Sequence, residues 1–171
     1  MDRKYIIAQK AKQIREQYGL YGAAIDPIDI TKELQIKVYK KDDLRIKGEP
    51  VSGAIVKKDD DIVIFLNDSD SKLRQRFTLA HEVAHYFLHF DKNDEFVDFH
   101  RDSNKIKDIR ESEADEFAGC LLMDIDEVKG RFKQCQAISL PLEITISMLS
   151  NIFVVSKQAM YIRLRNLGLI E

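Results

Sequence analysis

Only 3 prolines and 7 glycines punctuate the 171 residues. That scarcity disfavours a many-turned all-β fold, whose connections draw on those residues. Two cysteines, Cys120 and Cys135, fit neither a disulfide framework nor a cysteine-based zinc site. Charge of one sign is also missing: 27 Lys plus Arg face 29 Asp plus Glu, a formal net charge of −2. The balance excludes a globally basic nucleic-acid binder and leaves room only for a local basic face. No apolar stretch approaches the roughly 18 residues that span a bilayer, and the first ten residues lack the apolar core of a signal peptide. The chain is therefore expected to be soluble and cytoplasmic, with both thiols reduced. What is present, 44% hydrophobic residues, rules out wholesale disorder, and the length suits one domain with at most a small appendage.

Hydrophobic spacing orders the chain. Ile6, Ile7, Ala11, Ile14 and Tyr18 recur at helical intervals, and Gly19 and Gly22 follow as stops. Asp26-Pro27 opens a short second helix with Ile30 and Leu34 on its inner face. Ile36 to Tyr39 reads as a strand and Lys40 to Pro50 as a polar loop. Gly53–Val56 and Ile62–Leu66 read as a β-hairpin with a charged tip. A long helix runs from Asp70 to His89, capped by Asp70 or Ser71. The stretch Asp91–Asp108 is polar, with a small apolar patch at Phe96, Val97 and Phe99. Helices follow at Ile109–Met123 and from Asp124 through Phe132. Two more come after Pro141, with a break at Phe153-Val154-Val155. Helices, then about three strands, then helices alone make the class α+β.

The long helix carries His81-Glu82-Val83-Ala84-His85, an H-E-x-x-H motif. Positions four apart lie about 40° apart around a helix and about 6 Å along it. Two imidazoles so placed can converge on one zinc ion, and the intervening Glu82 can take a proton from water activated there. Leu73, Phe77, Ala80, Ala84, Phe87 and Leu88 form an apolar arc with His81 and His85 at its margin, where polar groups need partners.

A zinc centre of this kind needs a third protein ligand. Five residues compete: His89, Asp91, His100, Glu111 and Glu113. Asp91 stands six residues after the second histidine, but the sharp turn that position requires would need glycine where Leu88 stands. His89, one turn beyond His85, suits a supporting place better than a ligand's. His100 sits in an irregular polar segment. With Glu111 at 0° on its helix, Phe117, Leu121, Ala114, Ala118 and Leu122 span about 240° to 20°, so Glu111 lies inside the apolar arc. Glu113 falls near 200°, toward the outer face, by the same estimate. A core-facing carboxylate needs strong compensation, which a metal supplies; a helix-start carboxylate held by the dipole is the plainer reading. Asp115, at about 40°, can accept a hydrogen bond from the distal nitrogen of a ligating histidine.

The run Arg76-Phe77-Thr78-Leu79-Ala80-His81-Glu82-Val83-Ala84-His85-Tyr86-Phe87-Leu88-His89 resembles the ImmA/IrrE family of zincin-like metallopeptidases. The resemblance continues through Glu111-Ser112-Glu113-Ala114-Asp115-Glu116-Phe117-Ala118 and Leu121-Leu122-Met123. Ala84 departs from the glycine often found there, and Asp124 from a frequent proline; neither is a ligand position. The resemblance implies a small zincin-like metallopeptidase domain over 1–135, with Zn2+ on His81, His85 and Glu111 and Glu82 as general base. It also implies a protein substrate, a helix-turn-helix repressor in mobile-element control or stress response. The exposed edge of a hairpin strand is expected to hold substrate backbone by strand addition.

Residues 136–171 form the helical C-terminal segment. Ser156 can cap its last helix and Gly168 can stop it, while Lys157, Arg163 and Arg165 add positive charge. Helix, short turn and basic helix are compatible with a DNA-reading pair, but a hairpin packed on the same domain is favoured, because three cations are few. The alternative function is a zinc-stabilised regulator that binds DNA or a protein partner and cuts nothing. Glu82 separates the two, since a purely structural site has no use for a base there.

Overall fold

The computed structural model describes residues 2–58, 61–90, 96–100 and 109–171, the last five before the break at 101 as backbone only. Helix α1 (Arg3–Gln17) is capped by Asp2, whose side chain accepts from the Lys4 amide. It buries Ile7, Ala11 and Ile14. Gly19, at φ +63°, takes the left-handed turn that ends it, a conformation free of cost only for glycine. Helix α2 (Ile28–Glu33) follows Pro27, with the Ile28 amide donating to Asp26 Oδ1.

The described residues hold five strands next, β1 (Lys37–Lys41), β2 (Arg45–Ile46), β3 (Glu49–Pro50), β4 (Gly53–Lys58) and β5 (Asp61–Asn67), and a sixth, β6 (Phe96–His100), after the long helix. The main sheet has the order β1-β5-β4-β6, with β1 parallel to β5 and the other pairs antiparallel. The three strands expected from the sequence are thus joined by a fourth, β6, at the Phe96, Val97 and Phe99 patch. The presumed loop Lys40–Pro50 holds a two-residue hairpin, β2 with β3.

Helix α3 (Lys72–His89) is capped by Ser71 Oγ, which accepts from the Arg74 amide. It lies on the sheet and against α4 (Ile109–Leu122). Helix α4 is clasped between α3 and α1, and Arg15 of α1 donates from Nη1 to the Leu121 carbonyl at its C-terminal end at 2.7 Å. Asp124 caps α5 (Ile125–Ala137), accepting from the Asp126 and Glu127 amides. Helices α6 (Leu142–Phe153) and α7 (Lys157–Asn166) meet at Val154, which stands at φ 54°. Arg76 of α3 secures that turn by donating to the Val154 carbonyl at 2.9 Å.

Leu149 and Phe153 of α6 and Met160 and Leu164 of α7 are fully buried in the same core as Phe117 and Leu121 of α4 and Ile55 and Ile64 of the sheet. Their burial is what anchors the C-terminal pair. No helix among the described residues is long and apolar enough to cross a membrane.

Candidate metal centre

His81 and His85 stand one turn apart on α3, and both are buried. Their Nε2 atoms lie 3.0 Å from one another. Glu111, in the first turn of α4, completes the group: Oε1 is 3.1 Å from His85 Nε2, and Oε2 is 3.4 Å from His81 Nε2. The three residues offer ligand atoms that all lie within 4.8 Å of one another. A tetrahedral zinc site with ligand bonds of about 2.0–2.1 Å has edges near 3.3 Å. The 3.0 Å between the imidazoles is close to that figure, each imidazole has one Glu111 oxygen at 3.1 or 3.4 Å, and the donor set, two imidazoles and a carboxylate, is one that zinc accepts.

The surrounding contacts orient these groups. Asp115 Oδ1 lies 3.0 Å from His81 Nδ1 and leaves Nε2 to face Glu111. Burial works to lower the His81 pKa, but the hydrogen bonds to Asp115 and Glu111 outweigh it and push it up to about 9. His89, the third histidine of α3, sets Nδ1 3.0 Å from His85 Nδ1 and Nε2 3.1 Å from Glu113 Oε2. Burial holds its pKa below the ordinary histidine value. Glu113 in turn accepts from Arg3 Nε at 2.6 Å and Nη2 at 3.0 Å. That hydrogen bond, chiefly, pulls its carboxyl down to about 2.

Glu82 is fully buried on the sheet side of α3. Gly53, the first residue of β4, makes its position possible. A Cβ built on Gly53 would stand 2.4 Å from Thr78 Cγ2 and 3.1 Å from both Glu82 Oε1 and the Phe65 carbonyl. Only glycine lets the strand come that close to the helix.

Of the candidates for third ligand whose side chains are described, His89, Glu111 and Glu113, it is Glu111 that the fold sets against both histidines. Glu113 does not lie on an outer face, because α1 covers that side of α4; its side chain is 12% exposed, between Arg3 and His89. Asp91 and the side chain of His100 lie outside the described residues.

Two sequence expectations are overturned. Strand addition at the hairpin has no free edge to use, because β5 lies between β1 and β4, and β4 between β5 and β6. Of the three cations assigned to a basic C-terminal face, Arg163 points inward. It is 5% exposed, donates from Nε to the Met123 carbonyl at 3.0 Å, and pairs with Glu116 at 3.5 Å. Sequence reasoning missed Arg3, whose partner Glu113 lies 110 residues away, and the buried Arg15, which joins the nearby Gly22 carbonyl to the Leu121 carbonyl 106 residues away. It also missed Gly53, a lone glycine in a strand, which was the available signal for a close approach.

A helix bearing H-E-x-x-H, a second helix presenting a carboxylate to both histidines, and a small mixed sheet behind them define a metallopeptidase-like domain. The model of the peptidase M78 family, the IrrE N-terminal-like domain, matches residues 31–165. The chain belongs to that family, and the match takes in the C-terminal helices almost to the end of α7. No curated protein matches the chain.

Proposed function

We propose that this protein is a cytoplasmic zinc-dependent endopeptidase. It hydrolyses a peptide bond in a regulatory protein, a repressor of the helix-turn-helix type, with His81, His85 and Glu111 as zinc ligands and Glu82 as general base. The observation that carries this reading is the close approach of Glu111 on α4, 3.1 to 3.4 Å, to the two histidines of α3, the helix that also bears Glu82. Held by these three side chains, zinc would supply a Lewis acid for the scissile carbonyl and a lowered pKa for the attacking water. Glu82 accepts that water's proton and passes it to the leaving amine nitrogen. Asp115 holds His81 in the tautomer that keeps Nε2 available. The absence of a side chain at Gly53 leaves the space in which the buried Glu82 carboxylate stands between helix and sheet. The repressor substrate follows from family kinship.

The test uses purified protein reconstituted with zinc and the repressor encoded beside its gene. Wild type cuts the repressor; Glu82→Gln keeps zinc and loses cutting. Equal cutting by both would refute the role of Glu82. A protein that binds zinc and its partner but cuts neither this repressor nor other regulators would favour the non-proteolytic regulator.

A further inference from the structure

His81 and His85 are oriented by different devices. His81 meets a carboxylate directly, whereas the Nδ1 of His85 faces a second imidazole, His89. A neutral imidazole carries one N–H, and that fact fixes the proton positions along the chain of contacts. When His85 gives its Nε2 lone pair to a metal, its proton sits on Nδ1 and must be donated. The atom 3.0 Å away is His89 Nδ1, which can only accept if the proton of His89 sits on Nε2. That Nε2–H then points at Glu113 Oε2, 3.1 Å away, a carboxylate that only accepts. Arg3 closes the series by donating two hydrogen bonds to Glu113. With these proton positions each contact between neighbours in the series His85, His89, Glu113, Arg3 has a donor on one side and an acceptor on the other.

We propose that His89, held by Glu113 and Arg3, is a positioning residue for the metal: it accepts the His85 Nδ1 proton and so locks the tautomer and ring angle that aim Nε2 at the ion. Glu113, set aside as a ligand, acts one step further out by fixing the tautomer of His89. The first turn of α1 thereby becomes part of the metal site, through a residue 110 positions from the carboxylate it holds. This inference rests on the ligand reading above, and its test separates the two.

The readout is zinc affinity, measured by chelator competition on metal-free protein. His89→Phe keeps a ring of similar shape and removes the acceptor. His89→Asn is smaller but sets an amide oxygen near the place of Nδ1. Positioning predicts that the Phe variant binds zinc about 10- to 100-fold more weakly, the usual cost of losing such an outer partner, while the Asn variant stays close to wild type. A packing role reverses the order, because Phe fills the space and Asn does not, and that result would overturn the proposal. Nitrogen-15 spectra of the zinc-loaded wild type give a check that needs no variant. His85 is expected as the Nδ1–H tautomer and His89 as Nε2–H; a proton on His89 Nδ1 would equally sink the idea. His85→Ala tests the underlying reading by itself. If it keeps wild-type zinc affinity, the ligand assignment fails, whatever the His89 variants do.

Discussion

Gly53 and Glu82 are in contact across the sheet–helix interface, with the place of a missing Cβ on the glycine only 3.1 Å from the carboxylate oxygen. Gly53→Ala therefore forces a choice between moving Thr78, whose methyl would be 2.4 Å away, and moving the helix that carries the motif. Thr78 is fully buried and β-branched, so it has little room to turn aside. We expect a loss of about 1–3 kcal/mol in urea unfolding, with a fall in peptidase activity larger than the stability change explains. Adding Thr78→Ala should restore most of both. Unchanged stability in Gly53→Ala would show that the strand can draw back from the helix.

Glu111 and Glu113 are two residues apart and do different work. On the proposed ligand set, Glu111→Ala should weaken zinc binding well beyond the 10- to 100-fold or so expected for an outer partner, the class into which Glu113→Ala falls. Chelator competition measures both. Affinities in the reverse order would reassign the third ligand. On the same proposal zinc would join α3 to α4, so metal removal should destabilise the fold. With zinc at about a thousand times its Kd, the linkage contributes about 4 kcal/mol, and a chelator should lower Tm by roughly 10 °C in a domain of this size. A Tm that ignores the chelator would mean that the ion does not bridge the two helices.

The division between what the sequence disclosed and what it withheld follows the range of the interactions. The helix–helix–strands–helices order, the Ser71, Asp124 and Ser156 caps and the convergence of His81, His85 and Glu111 all follow from local spacing or from the phase of one helix. Phase failed for Glu113 because a helical wheel assumes a single buried face, and α4 has two, one on α3 and one on α1. Strand β6 was hidden because its apolar residues are embedded in a charged stretch, and it is pairing with β4 that makes it a strand. Arg163 was counted as surface charge because its three partners, Met123, Cys120 and Glu116, lie on or beside a helix some 40 residues earlier.

That buried arginine yields its own prediction. Arg163 donates to the Met123 carbonyl just beyond α4 and faces Glu116 from within the core. Arg163→Met keeps much of the stem but leaves a half-buried carboxylate and a carbonyl without their cation, a loss of about 3 kcal/mol. Lys157→Ala, at an exposed position on the same helix, should stay within about 0.5 kcal/mol. Thermal unfolding of the two variants settles the matter. Near-equal losses would mean that Arg163 is held loosely, and would return it to the count of cations available to DNA.

The neighbouring Cys120 gives a pH dependence of definite sign. Burial, chiefly, pushes its thiol pKa up to about 11 from an ordinary 9.0, and Glu116 adds to the shift while Arg163 opposes it. The folded state thus prefers the protonated thiol more than the unfolded chain does. The associated stability is fully present below pH 9 and is lost as pH rises from about 9 toward 11, where the unfolded chain ionises first. Cys120→Ala removes this term, so its stability should fall less steeply over that interval than the wild type's. The same preference makes Cys120 a poor nucleophile, because the thiolate is the reactive form and the side chain is 4% exposed. Iodoacetamide at pH 8.5 should therefore leave Cys120 unmodified in the native protein and alkylate it once urea unfolds the chain. Rapid labelling of Cys120 in the native state, read by peptide mass mapping, would show that α7 opens from α4 far more often than this packing allows.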